Sequence, residues 1–154
     1  MKRTTEHGAA RASGRTGGLD ADACPACGTT MKATHGKLRL PVNGEPITVP
    51  AAAHLSCPKC HEVVLRLEDS RRLSADAIAI YRRKHGLLSA DEIRAIRQHH
   101  RLTQAAFARL LRLGANTLSR WEAGRTAQTE AMDTLLRLIR DVPGSIAYLR
   151  QHAA

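Results

Sequence analysis

Four cysteines have the residue type and spacing of a metal site. Cys24-Pro-Ala-Cys27 and Cys57-Pro-Lys-Cys60 each leave two residues between the thiols, which lets both sulfurs of a pair reach one ion. Two such pairs predict a closed, tetrahedral site for one structural Zn²⁺ per chain, with iron in a rubredoxin-like site as the alternative. Four protein ligands leave no open coordination position, so we do not expect the ion to activate water. We expect it to replace the core that so small a module lacks.

A second group of side chains has the chemistry of base recognition. A short helix is predicted from about residue 115 to 123, and its outward-facing polar residues are Asn116, Thr117, Ser119 and Arg120. Asn pairs with adenine through two hydrogen bonds, and Arg pairs with guanine or a phosphate. Asn116 and Arg120 share a helix face because they are four residues apart, and we expect both to read bases. The alternative is that Asn116 caps the helix and that Arg120 pairs with Glu122 or with solvent.

The segment 102–124 supplies a helix-turn-helix for these side chains. Thr103 is placed to cap a first helix, Gly114 to form a turn where two helices approach closely, and Gly124 to end the second helix. Apolar residues at helical spacing face inward on both helices: Phe107, Ala108, Leu111, Leu118 and Trp121. A helix with polar residues outward and apolar residues inward suits the major groove of B-DNA. A plain antiparallel helix pair explains the two-sided pattern less well.

The charge of the chain agrees with a polyanionic partner. Lys and Arg number 24 against 14 Asp and Glu, which gives a formal net charge of +10. Three residues at the edges of the helix-turn-helix are predicted to hold DNA phosphates: Thr103, Gln104 and Arg125. Aromatic residues make up only 3% of the chain, which disfavours stacking platforms for single-stranded nucleic acid.

The remaining pattern predicts an α+β fold, in which a small β-rich four-Cys zinc domain precedes an all-α helix-turn-helix domain of about five helices. Alternating stretches at 37–42 and 46–49 flank Asn43-Gly44, which predicts a hairpin, and a third strand is predicted over 62–67. One helix is predicted to begin at Ser74 and to end at Gly86. A capping box from Ser89 to Glu92 opens the next helix, and further helices are expected over 129–140 and from 145.

These elements divide the chain into four parts. We expect a disordered tail (1–22), a zinc-binding domain (23–68), a linker helix (69–88) and a helix-turn-helix domain for DNA binding and dimerisation (89–154). The sequence has no apolar run of membrane-spanning length and no apolar signal core, so we expect a soluble, cytoplasmic protein. It has no nucleophile–base pair and no carboxylate dyad, so we do not expect an enzyme.

The combination of CPAC, CPKC, the LTQ start and the ANTLSRWEAG stretch resembles the MqsA (YgiT-type zinc finger) antitoxins, over roughly residues 23 to 150. The resemblance implies that the C-terminal domain dimerises and binds a palindromic operator in its own promoter. It also implies that the zinc domain binds a toxin, typically a ribonuclease, encoded beside it. By the same resemblance, Asn116 and Arg120 match the base-contacting Asn and Arg of the family.

Two features depart from the family pattern. The tail before Cys24 is longer, and the turn reads Arg112-Leu113-Gly114 in place of a more Gly-rich sequence. Neither changes the metal or DNA residues. The alternatives are a stand-alone zinc-containing transcriptional repressor without a toxin partner and, less favoured, a redox or iron protein.

Overall fold

The chain folds as a three-stranded antiparallel sheet followed by six helices in the residues that the computed structural model describes, 22–114 and 116–152. The strands are β1 Lys32–Val42, β2 Glu45–Ser56 and β3 Val63–Val64. The helices are α1 Leu67–Lys84, α2 Ala90–His99, α3 Gln104–Leu110, α4 Thr117–Glu122, α5 Glu130–Asp141 and α6 Ser145–His152. This arrangement confirms the predicted α+β class. The predicted tail of residues 1–22 lies, apart from Asp22, outside the described residues.

The Asn43-Gly44 hairpin is confirmed, and its strands are longer than the alternating pattern indicated. Both turn residues have positive φ (50° and 83°), the backbone conformation that the favoured two-residue hairpin turn requires. A register shift between Gly36 and Leu38 breaks the alternation along β1, so the sequence pattern shows only the half of the strand near the turn. The third strand is shorter than the predicted 62–67, because the chain already turns into a helix at Leu67.

Helix α1 begins at Leu67, so the prediction of a start at Ser74 was wrong. The Ser74 hydroxyl donates to the carbonyl of Ser70 at 2.9 Å, a bond that places this serine inside the helix and not at its cap. The earlier start follows from tertiary packing: apolar residues of α1 pack with residues of the sheet in one buried cluster. Its buried members are Val42, Ile47, Val49, Ala52, Leu73, Ala77 and Ile78.

The other end of α1 is attached to the helices that follow it. Arg82 is only 4% exposed, and its Nη2 donates to the carbonyls of Trp121 at 3.0 Å and Thr126 at 3.1 Å. Burial lowers the pKa of Arg82, as expected for a guanidinium removed from water. At the same end, Lys84 and His85 pair with Glu45 beside the hairpin turn. Helix α1 therefore contacts both the sheet and the end of α4.

Helices α2 to α6 share a separate core, which contains all the predicted inward-facing residues of the helix-turn-helix. Its buried members are Leu88, Ile93, Ile96, Phe107, Ala108, Leu111, Leu118, Trp121, Leu136, Ile139 and Ile146. The capping box of Ser89 and Glu92 is present at the start of α2. Among the described helices, each is either too short or too polar to span a lipid bilayer.

A buried carboxylate joins the start of this core to α5. Asp133 accepts hydrogen bonds from the backbone N–H of Leu88 at 2.7 Å, from Gln128 at 2.9 Å and from Arg137 at 2.7 Å. Burial opposes ionisation of Asp133, but these bonds hold its pKa below the ordinary value. The loop that enters α2 is therefore tied to the first turns of α5.

Candidate metal centre and nucleic-acid interface

The fold brings the four cysteine sulfurs into one cluster at the end of the sheet. All four Sγ atoms lie within 4.8 Å of one another, with 3.5 Å between Cys24 and Cys60 and 3.5 Å between Cys27 and Cys57. Tetrahedral Zn–S bonds of about 2.3 Å would place the sulfurs about 3.8 Å apart, so the cluster has the right size for such an ion. The four cysteines could therefore bind one metal ion.

The two cysteine pairs are held by the same backbone turn. The N–H of Gly28 donates to the carbonyl of Cys24 at 2.8 Å, and the N–H of His61 donates to the carbonyl of Cys57 at 3.0 Å. Gly28 and His61 both have positive φ, at 73° and 61°. This conformation is easy for glycine and uncommon for other residues, so the sequence indicates the turn only after the first pair.

Hydrogen bonds around the sulfurs favour thiolates at two of the positions. The Thr29 side chain and backbone hold the pKa of Cys27 at about 6, and the backbone N–H groups of Cys60 and Lys59 lower the pKa of Cys57. At Cys60 a backbone bond at Glu62 favours the thiolate, but the neighbouring cysteine sulfurs raise its pKa to about 12. A cation in the cluster would compensate the mutual repulsion of four thiolates.

Few apolar residues support this cluster. Cys24 and Cys57 themselves form its buried centre together with Met31 and Leu55, and Val64 packs at the edge. So small an apolar cluster contributes little hydrophobic stabilisation. An ion bound by the four sulfurs would therefore carry much of the local stability.

The predicted base-reading residues lie around the first turns of α4. Asn116 precedes the helix, its side chain makes no capping hydrogen bond, and its carbonyl accepts from the Ser119 hydroxyl at 3.0 Å. Asn116 and Arg120 are exposed, and within the described residues neither side chain has a hydrogen-bond or ion-pair partner. The described residues therefore show no side-chain cap by Asn116 and no Arg120–Glu122 pair, whereas the exposed Arg120 is open to solvent, as the alternative also allows. Thr117 and Ser119 are half-buried on the same short helix.

The turn between α3 and α4 differs from the prediction. Its left-handed residue is Arg112, with φ of 54°, and the N–H of Leu113 donates to the carbonyl of Ala108 at 2.8 Å. A Cβ added to Gly114 would meet Thr117 at 3.5 Å, an ordinary contact, so the expected close approach at Gly114 was wrong. At the end of α4, Gly124 has φ of 66°, and the predicted glycine cap is confirmed.

A buried carboxylate, Glu122, lies at the end of α4. The sequence analysis did not predict its structural role. Glu122 is 2% exposed, and Arg97 binds both of its oxygens, through Nε at 2.6 Å and Nη2 at 2.8 Å. Nε2 of Gln104 donates to the same carboxylate at 2.9 Å, and Nη2 of Arg94 donates to the carbonyl of Glu122 at 2.6 Å. These contacts tie α2 and α3 to α4. The sequence did contain one sign of this burial: Glu122 follows Leu118 by four residues, so both lie on the inward-facing side of the helix.

The predicted phosphate-binding residues have different surroundings. Thr103 accepts the N–H of Ala106 at 3.1 Å, which confirms it as the cap of α3 and leaves its hydroxyl hydrogen free to donate. Gln104 uses one amide N–H on Glu122 and has a second available. Arg125 is exposed, and no described residue pairs with its guanidinium. All three lie at the ends of the two helices.

Removal of a bound ion is expected to unfold the metal module, meaning the segments around Cys24–Cys27 and Cys57–Cys60. The helices should remain folded. The reason is that helices α2 to α6 have their own buried core, whereas the cysteine cluster has almost none. After chelation, all four thiols should react with a thiol reagent while most of the far-ultraviolet circular dichroism signal of helix persists. Re-addition of Zn²⁺ should restore thiol protection, and complete loss of helical signal would contradict the separation of the two cores.

Acid is expected to destabilise the helical core through Glu122. Burial opposes its ionisation, but the bonds from Arg97 and Gln104 more than offset this and hold its pKa below the ordinary value. The ionised carboxylate therefore stabilises the fold above the unfolded-chain pKa of about 4.3, and this stabilisation is lost as the pH falls through the lower folded-state pKa. Urea titrations at several pH values should show this loss of unfolding free energy.

In the Glu122→Gln variant, the unfolding free energy at pH 7 should fall by about 3 kcal/mol, because the charge of Arg97 is left without its partner. The variant should also depend less on pH between about pH 5 and 3. The exposed control Glu130→Gln should stay within about 0.5 kcal/mol of the unmodified protein. An unchanged acid limb in the Glu122 variant would refute the role of this carboxylate.

Residues 22–150 match the family model described as the antitoxin component of the bacterial toxin-antitoxin system, MqsA. The matched region includes the cysteine cluster and all six helices up to residue 150. The search of curated proteins finds no significant match.

Proposed function

The chain belongs to the MqsA family of bacterial antitoxins, and on that premise we propose that it is a dimeric, non-enzymatic DNA-binding antitoxin that represses its own operon and neutralises a ribonuclease-type toxin. The observation that carries the DNA-binding part is that Asn116 and Arg120, at the start of α4 and within it, are exposed and have no side-chain partner among the described residues. The alternative is a stand-alone zinc-containing transcriptional repressor without a toxin partner.

The metal in this proposal is one structural Zn²⁺ held by Cys24, Cys27, Cys57 and Cys60. A set of four thiolates with tetrahedral spacing suits zinc, which crosslinks the module without redox chemistry. Iron in the same ligand set would be coloured, so a colourless protein with one zinc per chain supports the assignment. A visible absorption band from iron would overturn it.

Recognition of DNA is proposed to occur through α4 in the major groove. The contacts of Glu122 with α2 and α3 hold α4 against the core through its buried side, and Asn116 and Arg120 are exposed on the other side. Asn116 and Arg120 are proposed to read bases, together with Thr117 and Ser119, while Thr103, Gln104 and Arg125 contact phosphates. Loss of a base contact should therefore weaken binding to the operator only, whereas loss of a phosphate contact should weaken binding to any duplex DNA.

The Asn116→Ala variant is expected to bind its operator about 1–3 kcal/mol more weakly, because a bidentate contact to one base is lost. Binding to a random duplex of equal length should change little. Fluorescence anisotropy with DNA from upstream of the gene and with the random duplex measures both. Gln98→Ala, which removes an exposed amide from α2, is the matched control. An equal loss on both DNAs would show that Asn116 does not read a base.

A homodimer is proposed to form through an apolar surface on α5 and α6. The surface comprises Leu135, Leu138, Val142, Pro143, Tyr148 and Leu149, and it surrounds a shallow groove of about 490 Å³. Leu138 is 50% exposed, Val142 47% and Tyr148 63%, and the three lie in one contiguous apolar patch, which is the kind of surface that marks an interface. A second copy of the chain would cover this surface and place two copies of α4 on a palindromic site.

The Leu138→Lys variant is expected to be monomeric, because a charge in the centre of the apolar surface opposes its burial. Its affinity for a palindromic operator should fall accordingly. Sedimentation equilibrium measures the oligomeric state. Leu67→Lys is the control, because Leu67 is 70% exposed on α1, outside the α5–α6 surface. A dimer that persists in the Leu138 variant would exclude this surface as the interface.

A toxin partner is proposed to bind the zinc module. Co-expression with the neighbouring reading frame should yield a co-purifying small ribonuclease whose activity is inhibited. Metal chelation should release the toxin, since it unfolds the module, whereas Asn116→Ala should retain it. A homodimer without a partner would favour the stand-alone repressor. Retention of the toxin by the chelated protein would assign toxin binding to another part of the chain.

A further inference from the structure

The four cysteines of the cluster differ in their exposure to solvent. Cys24 is 3% exposed and Cys57 is fully buried, whereas Cys27 is half-buried and Cys60 is exposed. A thiolate is both a metal ligand and the nucleophile that peroxides oxidise, and its susceptibility follows its exposure. Cys60 is therefore the member of the cluster that a dissolved oxidant reaches most easily.

Two close contacts between sulfurs join one cysteine pair to the other. The sulfur of Cys24 lies 3.5 Å from that of Cys60, and the sulfur of Cys27 lies 3.5 Å from that of Cys57. A disulfide bond is about 2.05 Å long, so each sulfur would move by only about 0.7 Å to form it. The exposed sulfur of Cys60 thus has a buried neighbour, Cys24, within reach on the other pair.

We propose that Cys60 is the site at which peroxide oxidises the metal module, that Cys24 resolves the oxidised sulfur, and that the module then stays closed through the disulfides Cys24–Cys60 and Cys27–Cys57. This assignment rests on the proposed zinc site. It adds to that site a second, covalent way of connecting the same two segments.

The reaction uses hydrogen peroxide and the thiols alone. The Cys60 thiolate attacks one oxygen of the peroxide, which breaks the O–O bond, releases hydroxide and leaves a sulfenic acid on Cys60. The Cys24 sulfur then attacks the Cys60 sulfur, and the sulfenic hydroxyl leaves as water with the thiol proton. Two thiols are oxidised by two electrons and one peroxide is reduced to water. Cys27 and Cys57 react with a second peroxide in the same way.

The pairing decides whether the module keeps its shape. The first disulfide removes two of the four ligands, so a bound ion is lost. Disulfides between the pairs then hold the two cysteine segments together across 36 and 30 residues of chain. Disulfides within each pair would leave the segments unconnected. Oxidation is therefore expected to remove the metal without the unfolding that chelation causes.

The first test treats the full, zinc-loaded chain with hydrogen peroxide, measures released zinc with a coloured chelator, blocks the remaining thiols and digests the denatured protein with trypsin. Trypsin cleaves after Lys59 and separates Cys57 from Cys60, whereas no Lys or Arg lies between Cys24 and Cys27. The expected product joins three peptides, 16–32, 40–59 and 60–66, and fragmentation between Cys24 and Cys27 assigns the two bonds. One zinc should be released per chain, and a thiol reductant with Zn²⁺ should reverse the change.

A matched pair of variants tests the order of attack. Cys60→Ser and Cys27→Ser each keep three thiolates, and only the first removes the exposed sulfur. Thiol oxidation by limiting peroxide should be several-fold slower in Cys60→Ser than in Cys27→Ser. In the unmodified chain, dimedone, which traps sulfenic acids, should label Cys60 before the other cysteines. This measurement decides the order even where a variant fails to fold, and first labelling at another cysteine would overturn the role of Cys60.

Limited proteolysis tests whether the oxidised module stays closed. Under native conditions, cleavage after Lys59 should be slow in the zinc-loaded and the peroxide-treated protein and fast in the chelated, reduced protein. Rapid cleavage of the peroxide-treated protein would overturn the closed state.

The outcomes separate this inference from the proposed metal site. A chain that binds no zinc would overturn the metal assignment, and this inference with it. A zinc-loaded chain that forms Cys24–Cys27 and Cys57–Cys60 disulfides, or that keeps its zinc and thiols in excess peroxide, would overturn only this inference.

Discussion

The orientation of helix α4 depends on one buried carboxylate, that of Glu122. Removing a carboxylate from water is costly, and the charge of Arg97 with the amide of Gln104 offsets that cost only where α2 and α3 supply both groups at hydrogen-bond distance. A displaced α4 would leave a charge buried without a partner. The six-residue helix has too few hydrogen bonds to be stable alone, so this network and the packing of Leu118 and Trp121 hold it.

Helix α1 connects the core between the sheet and α1 with the core of helices α2 to α6. Its apolar side packs with the sheet, and Arg82 at its other end donates to carbonyls at the end of α4. The sheet and α4 are therefore linked through one element of 18 residues. If toxin and DNA bind where we propose, this helix connects the two binding regions.

Several features could be predicted because each is determined by neighbouring residues. The cysteine spacing, the Asn43-Gly44 turn, the capping box of Ser89 and the Gly124 cap are local, and the structure has all of them. The start of α1 could not be predicted, because Ser74 has the appearance of a cap and only packing on the sheet extends the helix back to Leu67. The left-handed residues Arg112 and His61 were missed for a similar reason: their turns are imposed by the surrounding structure on residues that do not favour them.

The sequence by itself determined which groups could bind metal and which could face DNA, since ligand type, spacing and helical period are properties of short segments. The tertiary structure alone decided how the charged side chains divide between binding and support. Glu122, Arg82 and Asp133 have ordinary surface-type side chains in the sequence, yet all three are buried because partners from distant segments compensate their charge or satisfy their hydrogen bonds. Arg71 and Arg125 are also far apart in the chain. They line one groove because α1 packs beside the segment that follows α4.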